Sequence, residues 1–173
     1  MSELDFYAHV ATSCDVFGTG IGSSPEAWEA AVGPDYFDDP GTGLLRRDYG
    51  LLELSFSDAE GLLSCFGISV QVHRLIHGLS VPVSLTERYG KFAPRARFTE
   101  LQAAILSLGS TIEPDDLSGD VHRYRVVGSG ARIFVVDDPD PYGSGDHDVD
   151  AEKAHQPGDV WALSVSPAWW GPR

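Results

Sequence analysis

The sequence predicts an α+β fold made of two repeated helix–antiparallel-strand units, forming one or two antiparallel sheets with short helices packed on one face. Three observations carry this expectation. The stretch SSPEAWEAAVGP (residues 23–34) is a short helix with both ends marked, and segments of alternating hydrophobicity follow it. The stretch FTELQAAILSLGS (residues 98–110) repeats that order. A glycine, Gly33 or Gly109, stands where each helix must stop. The chain of 173 residues is then a single domain, with one unit over residues 1–78, a connector over 79–97 and a second unit over 98–173.

The elements follow in order. Residues 18–22, GTGIG, lack the G-x-G-x-x-G spacing and any Walker lysine, so they read as a flexible lead-in to a helix. Ser24 is the N-cap of that helix, and Pro25 suits its first position because the missing N–H would be unpaired there. Trp28, Ala31 and Val32 form its apolar face. The left-handed conformation open to Gly33 ends the helix, and Pro34 forbids continuation. PDYFDDPGTG reads as an acidic turn region. In LLRRDYGLLELSFS, Leu52, Leu54 and Phe56 alternate with Glu53 and Ser55, the pattern of a half-buried strand, and Gly50 marks a bulge or a close backbone approach. After a turn near SDAEG, the residues Phe66, Ile68, Val70 and Val72 share one face of a second strand and complete an antiparallel hairpin.

Residues 78–97 hold two prolines, two glycines and the cations Arg88, Lys91, Arg95 and Arg97, a connector in which SVPVSL fits an edge strand. Thr99 and Gln102 have capping-box spacing, and Leu101, Ile105 and Leu108 form the stripe of the second helix. HRYRVV and ARIFVV are joined through GSG (residues 128–130), a hairpin turn, since glycine reaches positive φ cheaply. DVWALSVSP supplies the last strand, with Val160, Ala162 and Ser164 on one side and Trp161, Leu163 and Val165 on the other, and Pro167 ends it.

With 26 acidic and 12 basic residues the net charge is −14. Such a surface repels nucleic acid and anionic membranes, so neither is expected as a partner, and it favours a basic one. The usage of two cysteines, Cys14 and Cys65, fits a reducing compartment. The stretch MSELDFYAHV has no basic start followed by an apolar run, and no apolar stretch nears the length of a membrane span. A soluble, cytoplasmic protein is expected.

No catalytic constellation, metal site or cofactor motif stands out. His73 and His77 follow an alternating strand, where four residues span about 13 Å, too far to share a metal. Cys14 and His9 are the only neighbouring nucleophile–base pair, and no motif flanks them. In DDPDPYGSGDHDVD (residues 137–150), Asp146, Asp148 and Asp150 imitate the opening of an EF-hand. Ala151 then occupies the place of the loop glycine, and Pro157 that of the bidentate glutamate. This stretch therefore reads as a solvated loop, a partner-binding surface or a weak, adventitious cation site. Near the C-terminus, PAWWGPR places Trp169 and Trp170 side by side, one suited to plugging the core and the other to anchoring a partner.

GTGIGSSPEAWEAAVGPDYFDD, followed by LLRRDYGLLELSFS and CFGISVQVHRL, resembles small actinobacterial proteins, some of them similar to immunity proteins of polymorphic-toxin systems. RFTELQAAI and GDVWALSV fit the same group. In outline the helix-plus-sheet units are also similar to those of the β-lactamase inhibitor protein family, which present a concave binding face. The resemblance spans most of the chain and its motifs are structural. It implies a non-catalytic immunity or inhibitor protein that binds a cognate, basic toxin domain. Asp137, Asp138, Asp140, Asp146, Asp148 and Asp150 would supply the attracting field, with Tyr142 and Trp169 or Trp170 as anchors. The alternatives are a small-ligand protein or enzyme with a pocket between the two units, and an assembly subunit.

Overall fold

The computed structural model of the chain describes residues 1–118, 121–137 and 154–167. In chain order these form α1 (Glu3–Ser13), β1 (Asp15–Val16), β2 (Thr19–Gly20), α2 (Pro25–Val32), β3 (Phe37–Gly41), β4 (Leu44–Asp48), β5 (Leu52–Ala59) and β6 (Leu62–Val70). A 3₁₀ helix (Val72–His77), α3 (Val83–Tyr89), α4 (Phe98–Ser107), β7 (Ile112–Ser118), β8 (Val121–Val126), β9 (Arg132–Val136) and β10 (Val160–Val165) follow. β1 and β2 make a small hairpin, and the other eight strands make one antiparallel sheet ordered β3-β4-β5-β6-β10-β9-β8-β7. The α+β class stands, and of the two sheet arrangements expected, the single sheet is found. The two halves of the chain meet where β6 pairs with β10, Val70 opposite Leu163 and Ile68 opposite Val165. Among the described residues, no helix is long and apolar enough to cross a membrane.

The helices cover one face of this sheet. α2 begins as its sequence demands: the Ser24 hydroxyl accepts the Ala27 N–H at 3.1 Å, and Pro25 takes the first position. Trp28 is fully buried against Cys65 of β6. α4 buries Leu101 and Ile105, and its first residue, Phe98, stacks on Tyr124 of β8 at 4.4 Å. α1 lies against α4 and β10, burying Phe6, Tyr7, Val10 and Ala11. Below them lie Leu52, Leu54 and Phe56 of β5, Ile68 and Val70 of β6, Leu163 and Val165 of β10, and Ile133 and Val135 of β9. Burying a side chain of that size contributes roughly 1.5–3 kcal/mol, which is what fixes short helices that would be marginal alone.

Several expectations are corrected. Helix α1 and strand β7 were not anticipated. The acidic turn region contains edge strand β3, whose Asp39 pairs with Arg46. LLRRDYGLLELSFS is two strands, β4 and β5, because the chain reverses at Gly50, where φ is +93°. The close backbone approach expected at Gly50 is found: an added Cβ would collide with the Ser80 carbonyl oxygen. Gly33 has positive φ but an extended ψ of 176°, so α2 stops without a left-handed cap. Phe66 does not share the face of Ile68 and Val70. The β5–β6 register shifts after Ser55, Phe56 then pairs with Cys65, and Cys65 takes the core position. β10 shifts between Val160 and Ala162 in the same way, so Val160 joins Leu163 and Val165 in the core while Ala162 pairs with Phe134.

SVPVSL does not form an edge strand; Pro82 precedes α3, and Leu85 and Tyr89 are that helix's buried residues. Thr99 is not the N-cap of α4, which Arg97 provides without a side-chain hydrogen bond, and Leu108 is 59% exposed just past the last turn. In GTGIG, Gly18 belongs to the turn and Thr19–Gly20 to the second strand of the β1–β2 hairpin, and Ile21 and Gly22 form the turn that follows. The GSG turn between β8 and β9 is found as expected, with φ of +98° at Gly128 and +75° at Gly130. His73 and His77 lie on the 3₁₀ helix, where no strand runs.

Candidate functional site

The edges of the large sheet are built to refuse another strand. β3 carries Asp38, Asp39 and Pro40, and β7 carries Pro114 followed by a register shift at Asp115. Proline cannot donate to a ladder, charges oppose stacking, and a bulge twists the edge away. The second face of the sheet carries most of the described ion pairs between strands.

Strand pairing maps that face directly. One row runs from Phe37 through Asp48, Glu53 and Ser69. It continues through Ser164 and Arg132 to Arg125 and Glu113. Its middle is small, with Ser55 opposite Gly67 in the neighbouring row. Its two flanks are charged. On one side Arg74, reaching over from the 3₁₀ helix, holds Asp48 at 3.1 Å and Glu53 at 2.9 Å. On the other, Asp115 forms an ion pair with Arg123 at 2.8 Å and accepts the Nε–H of Arg132 at 3.0 Å, and Glu113 accepts the Nε–H of Arg125 at 3.1 Å. Burial alone would push the Asp115 carboxyl up. The Arg132 hydrogen bond and the charges of Arg123, Arg132 and Arg125 outweigh it and hold the group below the ordinary carboxylate range. Among the described residues, Arg46, Arg74, Arg123, Arg125 and Arg132 pair with Asp39, Asp48, Glu53, Glu113 and Asp115 on this face.

Of the residues expected to bind a partner, Asp137 is described: it is exposed, with its carboxylate 3.2 Å from His122 Nε2. Asp138, Asp140, Tyr142, Asp146, Asp148, Asp150, Trp169 and Trp170 lie outside the described residues.

At the end of the sheet where β10 begins, buried Asp159 accepts Arg95 and Arg97, each at 2.8 Å, and so ties the connector to the sheet. Beside it Trp161 lies flat on His73, ring centroids 4.2 Å apart and planes 2° apart, with His155 at 5.0 Å. Burial lowers the proton affinity of both imidazoles. Among the described residues no group of three or more His, Cys, Asp or Glu is placed to hold a metal ion.

His9 does not partner Cys14. Its Nε2 is 2.8 Å from Asp15, while the Cys14 sulfur lies 3.6 Å from the Ser129 carbonyl, and burial pushes that thiol up, away from a nucleophile's range. Cys14 and Cys65 are both free thiols.

Sequence reading missed the arginine cluster. The i, i+2 spacing of Arg123 and Arg125 in a strand places them on one face and is legible. The addition of Arg132 and Asp115 depends on cross-strand register and a bulge, which are not. No family model, curated protein or solved structure matches the chain.

Proposed function

We propose that the chain is a non-catalytic immunity or inhibitor protein that docks onto a cognate, basic toxin domain and neutralises it. The observation that carries this reading is the asymmetry of the sheet, with helices on one face, blunted edges, and a second face of small central and charged flanking residues. A broad face with polar flanks suits protein recognition better than turnover. The net charge of −14, with an acidic stretch over residues 137–150, speeds capture of a basic partner, and Tyr142 and Trp169 or Trp170 serve as anchors. Free thiols agree with a cytoplasmic setting. We read the two halves as repeated units: α2 precedes β3–β6, α4 precedes β7–β10, and the halves join last strand to last strand.

The test is capture and inhibition of the basic product of a neighbouring gene. Excess protein should abolish that product's activity, and Ser69→Arg, which raises a long cation from the middle of the open face, should weaken capture more than tenfold without unfolding the protein. A neighbour that stays fully active in the presence of excess protein ends the reading.

A further inference from the structure

We infer that a hollow on the helical side of the molecule is a binding site for a small apolar carboxylate, of the size of an aryl acetate. The hollow encloses about 570 Å³ between α1, the β1–β2 hairpin, α3 and the end of α4. Phe17, Tyr89 and Leu108 give it apolar walls, and Asp15, His9 and Arg88 give it charge. This inference is independent of the docking reading, which uses the opposite face of the sheet.

Counting which polar groups are already satisfied defines the ligand. Asp5, also at the hollow, accepts the Ser2 N–H at 2.7 Å and belongs to the helix start. Asp15 accepts both His9 at 2.8 Å and the Gly18 N–H at 3.0 Å. Arg88 has no ion-pair or hydrogen-bond partner among the described residues. In a chain with 26 acids and 12 bases, an unpaired guanidinium beside a cavity is an open valence of positive sign. Its planar fork matches a carboxylate. His9, its ring oriented by Asp15, supplies a further polar contact at the wall.

Phe17 is the independent sign that the hollow is built to hold something. Val16 pairs with Thr19, so Phe17 and Gly18 are the two loop residues of the hairpin, with φ of +53° and +80°. Both central positions of such a turn favour Asn or Gly, and a bulky aromatic residue there is held against its own preference. In that conformation the Phe17 ring, 36% exposed, lies 6.5 Å from the Tyr89 ring and 23° from parallel to it. Strain of this kind is retained where the side chain it displays is used.

The experiment is a titration of the full chain with phenylacetate, phenethylamine and benzyl alcohol, followed by backbone amide shifts. Phenylacetate should bind saturably with a Kd of about 1 mM, as a ligand of so few atoms does, moving the amides of residues 15–20 and 88–90. Arg88→Gln, at an exposed position, should weaken it at least tenfold with no loss of Tm. Phe17→Asn should weaken it while leaving Tm unchanged or higher, since asparagine suits the turn better. No saturable shift with phenylacetate, equal shifts with phenethylamine, or undiminished binding in Arg88→Gln would each overturn the inference.

Discussion

Two arginine centres sit near opposite edges of the same sheet and do different work. Arg47 of β4 points under the helices, where its side chain is 4% exposed. It donates Nε and Nη2 to the two Asp38 oxygens at 2.9 and 3.1 Å and Nη1 to the Pro25 carbonyl at 2.7 Å, and its guanidinium lies 3.7 Å from the Tyr36 ring centre. It clamps the start of α2 to the edge hairpin. Arg123, Arg125 and Arg132 of β8 and β9 stand on the open face around Glu113 and Asp115. The residue types are the same. Arg47 is almost wholly buried, whereas Arg123 and Arg125 are about one-third exposed, so water screens the second centre more than the first.

Breaking the covered centre should have the largest effect. Asp38→Ala strands a buried guanidinium and should cost about 2–4 kcal/mol in a denaturant titration. The double variant Asp38→Ala/Arg47→Met, which removes both charges, should recover at least half of that loss. A double variant as unstable as the single one would mean that packing of the Arg47 stem, and not its charge, holds the edge.

The open centre should respond less. Asp115→Asn should cost about 1 kcal/mol or less at pH 7, since the arginines it leaves are partly solvated. The folded-state proton affinity of Asp115 is depressed, so its contribution is present above the unfolded carboxylate value of about 3.9 and is lost as pH falls through the lower folded value. The stability difference between wild type and Asp115→Asn should therefore shrink between pH 5 and pH 2, and a difference that grows toward acid would reverse the assignment. Neutralising Arg125, beside it on the same face, should leave the denaturation midpoint unchanged while altering partner capture.

The smallest effect lies at the end of the sheet between the two centres. His73 is held neutral against Trp161, so stability should decline as pH drops below the unfolded histidine value of about 6.5, and His73→Gln should flatten that decline. Thermal melts from pH 7.5 to 5 read it directly. A wild-type profile parallel to that of the variant would place the acid sensitivity elsewhere.

Much of the fold was legible because its signals are local. Ser24–Pro25 sets the start of α2, GSG sets the β8–β9 turn, and the alternation of Leu52, Leu54 and Phe56 sets the buried face of β5. Reading failed where a local pattern had two outcomes. SVPVSL has the β-branched content of a strand, yet Leu85 and Tyr89 are spaced to bury on one side of a helix. Phe66 alternates correctly with Ile68, yet one extra residue in β6 gives its place to Cys65.

What the sequence settles by itself is the α+β class, the capped α2, the β5–β6 and β8–β9 hairpins and the balance of charge, because each depends on residues within a few positions of one another. The tertiary structure alone decides that β6 meets β10, that Arg132 joins Arg123 and Arg125 around Asp115, and that Arg88 lies beside Phe17 at the hollow. Those outcomes come from cross-strand register and helix placement, where a one-residue shift exchanges the faces of a strand and no local preference records which register wins.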